Sequence, residues 1–225
     1  MAETVDRRDG PYGEVVLRRR PAEGPNDRTH YEIIANGTFL MDTSDGRSER
    51  LLIDIARDAV ATERPRLLIG GLGVGFSLAH AAADPAWSRI TVVEREQAII
   101  DWHRRGPLAA ISGPALGDPR TVILHTDLVR HVHESEDTYD ALCLDIDNGP
   151  DWTVDEDNDP LYAQEGLTAC RRRLRPGGVL AVWSAQPSPA FEDALRNAGF
   201  TAVRTEEIPV ARGVPDVVHL GVHPA

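Results

Sequence analysis

The feature that most limits the folds open to this chain is the run Gly70-Gly71-Leu72-Gly73-Val74-Gly75. Before it stands Arg66-Leu67-Leu68-Ile69, a short apolar strand, and after it Phe76 to Ala83, an alanine-rich helix. Glycines between a strand and a helix let the backbone turn tightly and approach a ligand without Cβ clashes. In an open α/β sheet such a turn lies at the carboxyl ends of the strands, where ligands bind. Gly71, Gly73 and Gly75 are therefore candidate nucleotide-binding residues. The glycine string alone is weak evidence, and the order strand, turn, helix gives it meaning.

The rest of the chain continues that alternation. A helix running from Leu51-Leu52-Ile53 stops before Pro65. Strands at Ile90–Glu94, Thr121–Leu124, Tyr139–Asp145 and Val179–Trp183 alternate with helices at Gln97–Arg104, Leu161–Leu174 and Pro189–Asn197. Strands that read as unbroken apolar runs predict a mostly parallel sheet covered on both faces. Between Ala202–Ile208 and Val217–Val222 there is too little chain for a parallel crossover, so these two are expected to be antiparallel. The N-terminal part has another texture. Glu14–Arg18 and Tyr31–Ala35 read as strands, Asn36-Gly37 is a strong hairpin signal, and Thr38–Met41 returns. Pro21 to Asp27 reads as a loop. The expectation is a small β-hairpin module over 1–47 and an α/β domain over 48–225. The module is too small to stand alone and should pack on the main domain or on another subunit.

Composition excludes several classes. No apolar run in the 225 residues approaches the roughly 20 needed for a membrane span. Met1 to Gly10 is polar and mixed in charge, unlike a secretory signal, which points to the cytoplasm. Cys143 and Cys170 have no pairing or metal spacing and read as reduced thiols. A formal charge of -12 argues against a nucleic-acid partner. It suits a cationic substrate, and it also simply keeps a protein soluble.

Glu94 closes the second strand of the α/β domain, where an acid holds the ribose hydroxyls of a bound nucleotide. Its two oxygens can accept from both vicinal hydroxyls. The competing role is a surface salt bridge to Arg95. Phe76 stands where a dinucleotide fingerprint wants glycine, and it hinders the close approach of a pyrophosphate. With the C-terminal antiparallel pair, this resembles the class I methyltransferase-like (Rossmann-like) fold. That resemblance implies a seven-stranded, mostly parallel sheet with one reversed strand and a sulfonium nucleoside of the S-adenosylmethionine type.

Within that superfamily the chain resembles the spermidine synthase (polyamine aminopropyltransferase) family. The resemblance rests on the N-terminal module with Asn36-Gly37, the glycine turn, Val93-Glu94, His125-Thr126-Asp127, Tyr139 to Asp145, and Leu174-Arg175-Pro176-Gly177-Gly178-Val179. It implies that Asp127 hydrogen-bonds the adenine amino group; Asp127 is also a good helix N-cap, and both roles can hold. It implies that Asp145 faces the reacting amine, which a carboxylate can orient or deprotonate. There are departures. Gly73 replaces an aspartate that helps to hold the decarboxylated cofactor. The loop Asp145-Ile146-Asp147-Asn148-Gly149-Pro150 is one residue longer than the family's, with Asp147 available in place of its second aspartate. Ser48-Glu49-Arg50 stands where the family carries Tyr-His-Glu.

Asp147 and Trp152 are expected to contact substrate, because carboxylates and ring faces attract ammonium groups. Asp155 to Asp159 read as a solvated acidic loop. His131 and His133 do not share a helix face, so no metal is expected; His125 is a candidate adenosine contact. The leading expectation is a methyltransferase that uses S-adenosylmethionine and acts on a small, amine-containing acceptor. The cofactor is expected across Gly71, Gly73, Gly75, Glu94, Asp127 and Asp145, with Asp145 and Asp147 catalytic. The alternatives are an aminopropyltransferase using decarboxylated S-adenosylmethionine and a nucleoside-binding protein without catalysis. By analogy the chain is expected to be a homodimer.

Overall fold

The computed structural model describes residues 2–22, 29–146, 148–153, 155–208 and 215–225. Its N-terminal sheet is antiparallel, in the order β1 (Glu3–Gly10), β2 (Gly13–Arg20), β3 (His30–Ala35) and β4 (Thr38–Asp42). This is more than the expected hairpin. The added strand, β1, is exposed along nearly all of its length and carries no apolar alternation, which is why its sequence does not announce a strand. It is held by pairing with β2 and by two contacts to the following domain. Trp102 Nε1 donates to Asp6 at 2.8 Å, and Arg8 Nη1 donates to Asp101 at 2.8 Å.

After α1 (Arg47–Ala59) the chain lays down a seven-stranded sheet. Its elements are β5 (Arg66–Gly70), α2 (Phe76–Ala83), β6 (Arg89–Glu94), α3 (Gln97–Arg105), α4 (Ala109–Leu116), β7 (Thr121–His125) and α5 (Leu128–Glu134). They continue as β8 (Tyr139–Leu144), α6 (Asp159–Tyr162), α7 (Gln164–Arg173), β9 (Leu174–Ser184), α8 (Pro189–Asn197), β10 (Thr201–Ile208) and β11 (Asp216–Val222). The spatial order is β10-β11-β9-β8-β5-β6-β7. Pairings from β7 to β9 are parallel, and β11 runs antiparallel to both β9 and β10. The sheet has one reversed strand, as the short C-terminal connection requires.

Strand alternation sends successive side chains to opposite faces. Leu67 and Ile69 of β5 pack into one core with α1 to α4, whereas Leu68 packs into the other with α5 to α8. Ala141 and Cys143 of β8 join the first core, and Leu142 and Leu144 the second. Both faces are therefore apolar, which is why the strands read as unbroken runs. Val15, Leu17 and Ile33 of the N-terminal sheet belong to the first core, so that sheet packs on the main domain.

One helical expectation changes. Leu161 to Leu174 is not one helix: the backbone is extended at Ala163 between α6 and α7, and Leu174 already pairs with Tyr139 in the large sheet. A Cβ on Gly166 would lie 2.6 Å from Leu161 Cα, so α7 sits directly against α6. In addition, α4 forms where the sequence offered Gly113-Pro114, a poor helix pair. Packing among the helices of that face supports it.

Candidate active site

The carboxyl edge of the large sheet and the N-terminal sheet enclose a cavity of about 470 Å³. That volume suits a small molecule. Gly71, Gly73, Glu94, Asp127 and Asp145 line it from the edge, and Val15, Ile33, Leu40 and Met41 line it from the N-terminal sheet.

At Gly71 the backbone has φ +88°, and an added Cβ would lie 2.8 Å from the carbonyl oxygen of Asp145. Only glycine fits that approach without strain. Gly73 has φ +49°, and a Cβ there would meet Met41, with Cε at 3.0 Å. The Met41 sulfur also accepts a hydrogen bond from Val74 N at 3.2 Å. The space into which a side chain at position 73 would grow is thus filled by Met41. Gly75 begins α2 and does not line the cavity; a Cβ on it would lie 2.7 Å from His103 Cε1. The buried His103 braces the turn from behind, with Nε2 2.8 Å from the carbonyl of Gly73 and Nδ1 2.5 Å from Ser112 Oγ. A carbonyl only accepts, so Nε2 carries the proton and Nδ1 accepts from Ser112. Burial lowers the His103 pKa and keeps the ring neutral.

Glu94 is 6% exposed. One of its oxygens accepts from Leu72 N at 2.8 Å and the other from Glu96 N at 2.7 Å. Each oxygen retains a lone pair, so the carboxylate can still accept from a diol. Burial nevertheless raises its pKa. The competing salt bridge to Arg95 does not form. Arg95 pairs with Asp155, and its guanidinium lies 4.6 Å from the ring centroid of Tyr12. Asp155 is therefore tied back to the rim rather than merely solvated. Asp127 caps α5, accepting from Arg130 N at 2.8 Å, and also lines the cavity.

Asp145 follows β8 and donates its backbone N–H to Gly70 at 3.2 Å. Burial and then the charge of Asp216 push its carboxyl up to about 6. Sequence reasoning missed two partners. Glu49, in the first turn of α1, is pushed up to about 8 by burial and then by Asp145. Asp216, the first residue of β11, accepts from Ser48 Oγ at 2.9 Å. The one signal available was the reversal of β11, which turns the start of that strand toward the ligand edge.

Other expected residues fall elsewhere. Asp147 lies outside the described residues. Trp152 is 61% exposed and does not line the cavity, so the structure does not bring it to the site. His125 lines an adjoining cavity of about 480 Å³, with Nε2 3.0 Å from the carbonyl of Arg95. Among the described residues lining the main cavity, nine are carboxylates (including Asp42, Asp45 and Glu96) and one is an arginine, Arg95. Among the described residues no group of three or more His, Cys, Asp or Glu is arranged to hold a metal ion, and no helix is long and apolar enough to cross a membrane.

No protein-family model matches the chain. It is similar to polyamine aminopropyltransferase 1 of Pseudomonas aeruginosa, at 30% identity over 138 residues, which are 60% of this chain and 46% of that protein. It is also similar to a polyamine aminopropyltransferase of Korarchaeum cryptofilum, at 28% over 118 residues, 52% of this chain and 34% of that protein. A spermidine synthase solved with the transition-state analogue AdoDATO superposes with a TM-score of 0.78 at 16% identity, covering 98% of this chain and 73% of that one. The chain is spermidine synthase-like. The spermidine synthase of Thermotoga maritima gives a TM-score of 0.75 at 15% identity, covering 98% and 72%. The spermidine synthase-like chain spans less than half the length of the curated relatives it matches.

Proposed function

We propose that this cavity transfers an aminopropyl group from decarboxylated S-adenosylmethionine to a small amine. The observation that carries the reading is the lining of nine carboxylates against one arginine among the described residues. A sulfonium and an ammonium repel one another, and an acidic, partly dehydrated wall offsets that repulsion. S-adenosylmethionine itself would add a further carboxylate to this wall, whereas the decarboxylated form adds none. The names of the similar proteins support the same choice over methyl transfer.

In this reading Glu94 holds the ribose hydroxyls, Asp127 the adenine amino group, and Gly71 admits the nucleoside to the backbone. Asp145 orients the acceptor amine. Alkyl transfer of this kind draws most of its acceleration from in-line positioning. Calorimetry should show the decarboxylated cofactor binding at least about 10-fold tighter than S-adenosylmethionine, a difference of roughly 1.4 kcal/mol. Tighter binding of S-adenosylmethionine would favour methyl transfer, the reading that Gly73 supports. Nucleoside binding with no turnover of any diamine would leave a non-catalytic protein. A homodimer, expected by analogy, is tested by light scattering on the purified chain.

A further inference from the structure

The ligand edge of the large sheet divides at the glycine turn. On the β6–β7 side stand Glu94 and Asp127, and on the β8–β11 side stand Asp145 and Asp216. Glu49 reaches the second half from α1 and interacts with Asp145, which in turn interacts with Asp216. Three carboxylates from three separate elements thus share one end of the cavity.

We propose that Glu49 takes the proton from the acceptor's ammonium before transfer, while Asp145 and Asp216, which line the same end of the cavity, hold the cation in place. This rests on the aminopropyl-transfer reading above. Three neighbouring carboxylates do not all ionise easily without a counter-cation, so the proton settles on the group with the highest affinity for it. That group is Glu49, at about 8, rather than Asp145, at about 6. Asp45 and Arg50 face Glu49 from its own end of α1, and Asp145 faces it from β8. Arg47 lies toward Asp216, and Ser77 of α2 donates to the backbone carbonyl of Glu49 at 3.4 Å. A base whose pKa lies near the working pH is well matched to removing such a proton.

The step balances. The acceptor's ammonium gives one proton to the Glu49 carboxylate. The freed nitrogen lone pair forms the N–C bond to the methylene carbon next to sulfur. The C–S bond breaks and its electron pair stays on sulfur, leaving a neutral thioether. The new secondary ammonium keeps the two remaining protons on nitrogen, and Glu49 returns its proton to solvent.

The test is calorimetric titration of 1,4-diaminobutane into protein saturated with 5′-methylthioadenosine, at pH 7.5, in two buffers of different ionisation enthalpy. At that pH the empty cavity holds Glu49 mostly protonated and Asp145 mostly ionised. A bound dication should expel the Glu49 proton, giving a release of roughly 0.7 proton per diamine. Glu49→Gln should bind the diamine with release near zero, and its turnover should fall by about 100-fold or more. Glu49→Asp should keep part of both signals and move the acid limb of kcat/KM to lower pH, which a merely structural role would not do. Wild-type release in Glu49→Gln, or an unchanged acid limb in Glu49→Asp, would overturn the assignment. So would a wild-type protein that binds the diamine and releases no proton, whatever its turnover. Normal release with no turnover on the decarboxylated cofactor would overturn the aminopropyl reading instead and sustain the placing of the proton on Glu49.

Discussion

Single residues decide what the cavity admits. Met41 fills the space beside Gly73, so Gly73→Asp must push a packed side chain aside. Overpacking of that kind costs about 1–3 kcal/mol. Gly73→Asp should therefore lower the melting temperature, and adding Met41→Ala should recover only the packing part of the loss, since a side chain at this positive φ stays strained. If an aspartate there holds the decarboxylated cofactor, the double variant should also bind it about 10-fold tighter than the wild type, as calorimetry would show. Glu49 makes stability depend on pH. Its folded pKa, about 8, lies above its ordinary value of 4.5, so the folded state holds the extra proton between those limits. Its contribution is complete below about pH 4.5 and is lost as pH rises through 8. Glu49→Gln should flatten that slope and melt a few degrees higher than wild type at pH 8 in thermal scans. The strand-end acids of the site were legible in the sequence, because Glu94 and Asp145 close apolar runs whose direction fixes their edge. Glu49 was visible only as a departure from a familiar run. Nothing local says that the first turn of a helix points into a cavity made by strands far along the chain.

At the scale of elements, legibility followed punctuation. Helix α2 and helix α8 have the bounds their sequences predict, because glycines or prolines bracket apolar spacing. The exposed polar strand β1 and the Gly-Pro helix α4 did not, because packing on neighbours overrides their own preferences. After the break at Ala163, the close approach of Gly166 to Leu161 lets α7 sit directly against α6. Trp152 stands beside acids in the sequence yet is exposed outside the cavity lining, because side-chain direction in a loop is set by tertiary contacts. The attachment of β1 is a test of this view. Trp102→Phe keeps the ring in the core and removes the N–H that reaches Asp6. It should cost about 1–2 kcal/mol. Hydrogen exchange should quicken along β1 while β5 and β8 stay protected.

For the whole molecule, a formal charge of -12 and a carboxylate-lined cavity act in the same direction. The field should gather cations, and salt should weaken it. Raising ionic strength from about 0.02 to 0.3 M should lower the affinity for 1,4-diaminobutane several-fold. The uncharged 5′-methylthioadenosine should bind almost equally at both; a parallel loss for the two ligands would mean that the field is not selective. The reversed strand β11 has one more consequence. Glu94 and Asp145 stand at the ends of β6 and β8, central strands of the sheet, whereas Asp216 opens the strand that runs the other way. On the proposed function, substitutions at the start of β11 can therefore remodel the wall that would face the incoming amine and leave the nucleoside cradle as it was. Within one sheet, the part that recognises a common donor can be inherited unchanged while the part that chooses its partner diverges.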